Sequence, residues 1–118
     1  MRDHTKLKAF QAADQLAVLV YQATRSFPRE ELFGLTSQMR RAAVSVPSNI
    51  VEGCARNGEA DYLRFLDTAL GSLRELTYQV SLSHRLGFLG DEANRGLDTQ
   101  CTTTSKLLCP LIRSLRNP

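Results

Sequence analysis

A chain of 118 residues with 42% hydrophobic and 23% charged side chains is long enough to bury one core, and its composition excludes a disordered or fibrous protein. The net charge of +3 permits contact with nucleic acid without demanding it. No run approaches the roughly 18 apolar residues of a membrane span, and the opening MRDHTKLKAF lacks a secretory core, so a cytoplasmic protein without membrane contact is expected.

The first helical segment, residues 7–25, places Phe10, Ala13, Ala17 and Val20 at steps of three and four. Leu16 and Tyr21 widen that line into an amphipathic stripe. The apolar face fades at Thr24, and Ser26-Phe27-Pro28 stops the helix, because a residue before proline is pushed out of helical backbone. Residues 28–31 suit one short turn before Gly34.

The second segment, residues 36–56, is expected to start with Thr36 as N-cap. Leu35, Met39, Ala42, Ala43, Val46 and Ile50 form its core face. Val44, Pro47, Val51 and Ala55 form a second apolar strip on the flank. A helix buried on one side only has no use for that much apolar surface. The strip is therefore the candidate interface with a second copy of the chain. Pro47 removes an amide donor and crowds the carbonyl of Ala43, which predicts a kink or break. Asn57-Gly58 is expected to end the helix, with glycine at positive φ.

The third segment, residues 59–86, repeats Tyr62, Leu66, Ala69, Leu73, Leu76 and Val80 at alternating steps of four and three. Leu63 and Leu70 widen the stripe to that of a bundle helix. Gly71 stands off it. The turn GFLG follows, and its Phe88 and Leu89 are expected to plug one end of the core. The fourth segment, residues 91–115, takes Asp91 as its expected N-cap. Ala93, Leu97, Cys101, Thr104, Leu108, Leu111 and Leu115 form its predicted inner stripe, with Pro110 expected to kink or shorten the end. Four helices, short connections and no strand pattern predict an all-α fold, an antiparallel up-down-up-down four-helix bundle, as one domain spanning 1–118.

Chemistry is hard to place on this chain. His4 and His84 have no cysteine or carboxylate at ligand spacing, and no Glu-x-x-His pair marks a di-iron bundle. Cys54, Cys101 and Cys109 make an odd set without metal spacing, so buried reduced thiols are expected. Glu59 and Asp61 suit the start of a helix dipole better than an acid–base pair. Phosphate-loop, nucleophile-elbow and helical-nuclease spacings are all missing. No catalytic residue, metal, cofactor or small-molecule substrate is expected.

The arginines carry more weight. Arg40, Arg41 and Arg56 on helix two, with Arg64 and Arg74 on helix three, are candidate nucleic-acid contacts, since guanidinium suits bidentate phosphate binding. The competing reading pairs Arg41 and Arg56 with Glu52 or with carboxylates of a neighbouring helix. Ser45, Asn49 and Glu52 beside Pro47 are expected to form a structural polar network.

The segment FPREELFGLTSQMRRAAVSVPSNIVEG, followed by DYLRFLDTALGSLRELTYQV and RLGFL, resembles bacterial four-helix-bundle proteins related to the 23S rRNA intervening-sequence protein. The carrying motifs are the Gln38–Arg41 step, the block SVPSNIVEG, and Gly71-Ser72 with Glu75-Leu76. The chain is also similar to the accessory variability protein of diversity-generating retroelements. The resemblance implies a homopentameric ring or barrel, association with RNA, DNA or a nucleoprotein, and no catalytic residues. Gly58 and Phe10 stand where the family often has serine and tryptophan. The expected function is thus a non-enzymatic, self-assembling bundle binding nucleic acid through arginines gathered on the assembly. The alternative is a protein–protein scaffold that binds none.

Overall fold

The computed structural model describes residues 2–118. Four helices run the length of the molecule: α1 (Lys8–Thr24), α2 (Leu35–Cys54), α3 (Glu59–Arg85) and α4 (Asp91–Arg116). Two short 3-10 turns, His4–Lys6 and Arg29–Glu31, precede α1 and α2. Each helix packs on two neighbours, in the cycle α1, α2, α3, α4, and no diagonal pair meets among the described residues. Connections over 55–58 and 86–90 are too short for anything but reversal, which gives the antiparallel bundle, 44 × 23 × 20 Å in extent.

Periodicity places the core where the sequence expects it. Leu16 and Val20 of α1, Met39, Ala42, Ala43, Val46 and Ile50 of α2, and Leu66, Ala69, Leu73 and Leu76 of α3 have no exposed surface. Each fully buried leucine contributes about 1.5–3 kcal/mol over an exposed one. In α4 the buried line is Leu97, Cys101, Thr104, Leu108 and then Ile112. The predicted stripe holds as far as Leu108 and then moves over. Leu111 and Leu115 are only partly buried, Ala93 is exposed, and Ile112 takes the inward position four residues after Leu108.

Several expected helix ends are corrected. α2 starts one residue early, and its cap comes from Glu31, whose carboxylate Oε1 accepts the Leu35 amide at 3.0 Å. A Cβ on Gly34 would sit 2.8 Å from that oxygen, so the glycine leaves room for the carboxylate. Thr36 lies inside the first turn instead. Asp91 is likewise the first residue of α4, after Gly90 at the N-cap. Its carboxylate turns to His84 Nε2 at 2.8 Å. That hydrogen bond, with the charge of His84, holds the Asp91 carboxyl below its ordinary range.

Gly58 has φ −91° and precedes α3, so it is not a positive-φ cap of α2. The positive φ falls on Gly87, at +81°. There the Gly87 amide donates to His84 and the Phe88 amide to Ser83, the paired bonds that close a helix end. The closure carries Phe88 to 5.8 Å from the ring of Phe27, and Leu89 is buried beside them. This apolar plug ties the α1–α2 connection to the α3–α4 connection.

Neither internal proline breaks its helix: α2 continues through Pro47, and α4 through Pro110 to Arg116. One missing amide costs a single ladder bond, and packing holds the turns on either side.

Candidate functional site

Helix α2 presents two unlike sides. Toward α3 it is closely fitted. A Cβ on Gly53 would meet Phe65 Cβ at 3.0 Å and the Tyr62 carbonyl oxygen at 3.3 Å, so the glycine is what lets the helices approach. Gly71, by contrast, has nothing near it. Midway along, the Ser45 and Ser72 hydroxyls share a hydrogen bond of 2.7 Å, and Asn49 Nδ2 donates to the Ser45 carbonyl at 2.8 Å and hydroxyl at 3.0 Å. The polar network at this point is Ser45, Asn49 and Ser72. Glu52 is exposed and has no side-chain bond among the described residues. Farther along, Arg41 Nη2 meets Glu75 Oε2 at 2.5 Å and Gln38 Oε1 at 3.0 Å.

Toward α1 and the turn before α2, the same helix is open. Phe33 is 91% exposed, and Leu32, Tyr21 and Val44 are exposed around it. Together with Arg40 and Arg41 they line a groove of ≈ 620 Å³. Of the flank strip, Val44 and Ala55 are exposed and Val51 is half-buried, while Pro47 is already buried within the chain. The outward strip is therefore Val44, Val51 and Ala55. Phe33 and Leu32 extend it, missed because the FPREELFG stretch reads as a bare turn, and so does Tyr21, which the sequence places on the apolar stripe of α1 but which is exposed.

The five candidate arginines do not share one surface. Arg40 lies over the ring of Tyr21 at 4.7 Å and donates Nε to Thr24 Oγ1 at 2.9 Å. Arg41 is committed to Glu75, a carboxylate of the neighbouring helix, as the competing reading expects. Arg56 and Arg64 both lie 4.8 Å from the ring centre of Phe65, and Arg64 also pairs with Asp61 at 3.1 Å. Arg74 faces α4, donating to Ser105 at 3.3 Å. Arg2 joins the Arg56 corner, 4.0 Å above the ring of Tyr62, and its amide donates to the Cys54 carbonyl.

The titratable groups are structural in character. Burial, reinforced by Cys54, pushes the Tyr62 phenol up to about 12, and burial also raises the thiols of Cys54 and Cys101. All three cysteines are unpaired, and Cys109 is half-buried. Among the described residues no three His, Cys, Asp or Glu side chains group as a metal site, and no helix is long and apolar enough to cross a membrane.

The fold and surface define a class: an all-helical bundle protein with an open apolar groove and dispersed arginines. The 23S rRNA-intervening sequence protein family matches residues 5–109, and the chain belongs to that family. A solved structure from Bacteroides thetaiotaomicron, described as a protein with unknown function from the S23 ribosomal protein family, superposes with a TM-score of 0.80. It is 24% identical, over 89% of this chain and 95% of that one, a likeness that shows the shared fold. None of the curated proteins matches the chain.

Proposed function

We propose that this protein is a non-enzymatic bundle that associates with copies of itself through the α1–α2 groove and the outward strip of α2, and that the assembly docks on RNA through its arginines. The observation that carries self-association is the exposed apolar group of Phe33, Leu32, Tyr21 and Val44 around one groove. Large apolar side chains clustered on one face mark a contact surface. Family resemblance supplies the expected number of copies, five. The RNA reading is supported by arginines without ion-pair partners among the described residues. Arg40 and Arg56 are held against aromatic rings, which leaves terminal guanidinium nitrogens for phosphate.

Light scattering tests the first half. The wild-type chain is expected to be oligomeric at micromolar concentration, and Phe33→Lys with Val44→Lys is expected to give a folded monomer, because a cation beside Arg40 and Arg41 lacks a partner in an apolar contact. A monomeric wild type overturns the proposal. Titration of labelled RNA at several salt concentrations tests the second half. Salt-insensitive or undetectable binding by the oligomer leaves the scaffold reading, in which Arg41–Glu75 and Arg64–Asp61 are purely structural pairs.

A further inference from the structure

We infer that the hollow between the end of α1, the Arg29–Glu31 turn and the start of α2 is a phosphate-binding site, with Arg25, Arg29 and Arg40 as its cationic wall. The hollow measures ≈ 190 Å³, and Thr24, Thr36 and Leu32 also line it. Neither Glu30 nor Glu31 belongs to the wall, and Glu31 is already bonded to the Leu35 amide. Arg25 and Arg29 have no ion pair or side-chain hydrogen bond among the described residues. Three arginines thus line one small hollow with no carboxylate residue among its lining, a setting in which an anion is the complementary ligand.

Two further features suit a phosphate in particular. Arg40 is preorganised: its ring contact with Tyr21 and its Nε bond to Thr24 fix the plane of the guanidinium, and both terminal nitrogens remain without partners. Thr36 is only 4% exposed, it lines the hollow, and its hydroxyl has no hydrogen-bond partner among the described residues. A hydroxyl at the wall of the hollow, beside forked cationic donors, matches a tetrahedral oxyanion with several acceptor oxygens. The phosphate can belong to an RNA strand or to a free mononucleotide. The RNA case rests on the function proposed above; the site itself does not.

The test uses the full chain in its native assembly, titrated with inorganic phosphate and with uridine 5′-monophosphate and followed by NMR of the amide and arginine Nε signals. The expected result is saturable shifts at Thr36, Ser37 and Arg40, with binding weakened about tenfold or more in Arg25→Ala/Arg29→Ala, as for loss of charge-assisted bonds. Both replaced residues are exposed, so the variant is expected to fold. Thr36→Val is expected to weaken binding several-fold. Arg40→Lys, which keeps the charge, is expected to bind less tightly than wild type because the fork is lost.

Equal shifts at Arg56, Arg64 and Arg74, or unchanged binding in Arg25→Ala/Arg29→Ala, overturn the site. RNA then distinguishes the sources. If the phosphate belongs to a strand, the double variant flattens the salt dependence of single-stranded RNA binding by roughly 0.7 in slope, the share of the one phosphate no longer neutralised. If the mononucleotide binds and the RNA slope does not move, the site stands with a free nucleotide as its ligand and RNA is held by other arginines; if RNA does not bind at all, the RNA half of the proposed function falls alone.

Discussion

The α3-facing side of α2 and its α1-facing side belong to one helix and end in opposite states. On the α3 side a glycine, two serines and an asparagine let backbones come close, and Arg41 finds Glu75. On the α1 side stand large apolar side chains, with Arg25, Arg29 and Arg40 in no ion pair among the described residues. What separates a finished surface from an unfinished one here is whether each group meets its complement within the chain, not how hydrophobic the residues are.

The largest test of that contrast is at the glycines. Gly53→Val is expected to destabilise the fold by about 1–3 kcal/mol in urea denaturation, because the new side chain collides with Phe65 and the Tyr62 backbone. Gly71→Ala, in open space on the same pair of helices, is expected to stabilise by about 0.5–1 kcal/mol through helix propensity. If the two behave alike, the fitted side of α2 is not as close as described.

A second test uses pH. Tyr62 is 2% exposed, and its phenol titrates near 12 in the fold against about 10 in the unfolded chain. Above pH 10 the unfolded state loses its proton first, so stability is whole below pH 10 and falls as pH rises toward 12, by on the order of 2 kcal/mol. Tyr62→Phe is expected to flatten that fall measurably in denaturation at pH 8 and pH 11. An unchanged slope would mean that other groups control the alkaline limit.

The smallest effect is expected at Arg41 and Glu75. Both are substantially exposed, so a double-mutant cycle with Arg41→Ala and Glu75→Gln is expected to give a coupling of about 0.2–1 kcal/mol. A larger value would make the pair part of the core's support rather than a surface trim.

Much of this architecture is legible in the residues. The alternating stripe of α3 from Tyr62 to Val80 gives both its helix and its buried face, and the α1 boundaries differ from expectation by one residue at each end. What escapes is whatever depends on a residue distant in sequence or on a choice between caps. Thr36 and Asp91 are good N-caps by type, yet Glu31 reaches the α2 amide and His84 takes the Asp91 carboxylate. Ile112 shares its stretch with Leu111 and Leu115, and it is the packing of α4 on its neighbours that leaves Ile112 as the buried one. The convergence of Arg25 and Arg29 on Arg40 is invisible in the sequence for a similar reason. Two of them bracket the Phe27-Pro28 turn, and it is the folding back of that turn that sets them beside α2.

The hydroxyl of Thr24 has one hydrogen, and it goes to the Val20 carbonyl at 2.8 Å. Toward Arg40 the oxygen therefore offers lone pairs alone, and an N–H or O–H donor is the partner it can satisfy. A pure acceptor at position 40 would face another acceptor. One threonine, through a bond made inside its own helix, thus asks the next for a hydrogen-bond donor.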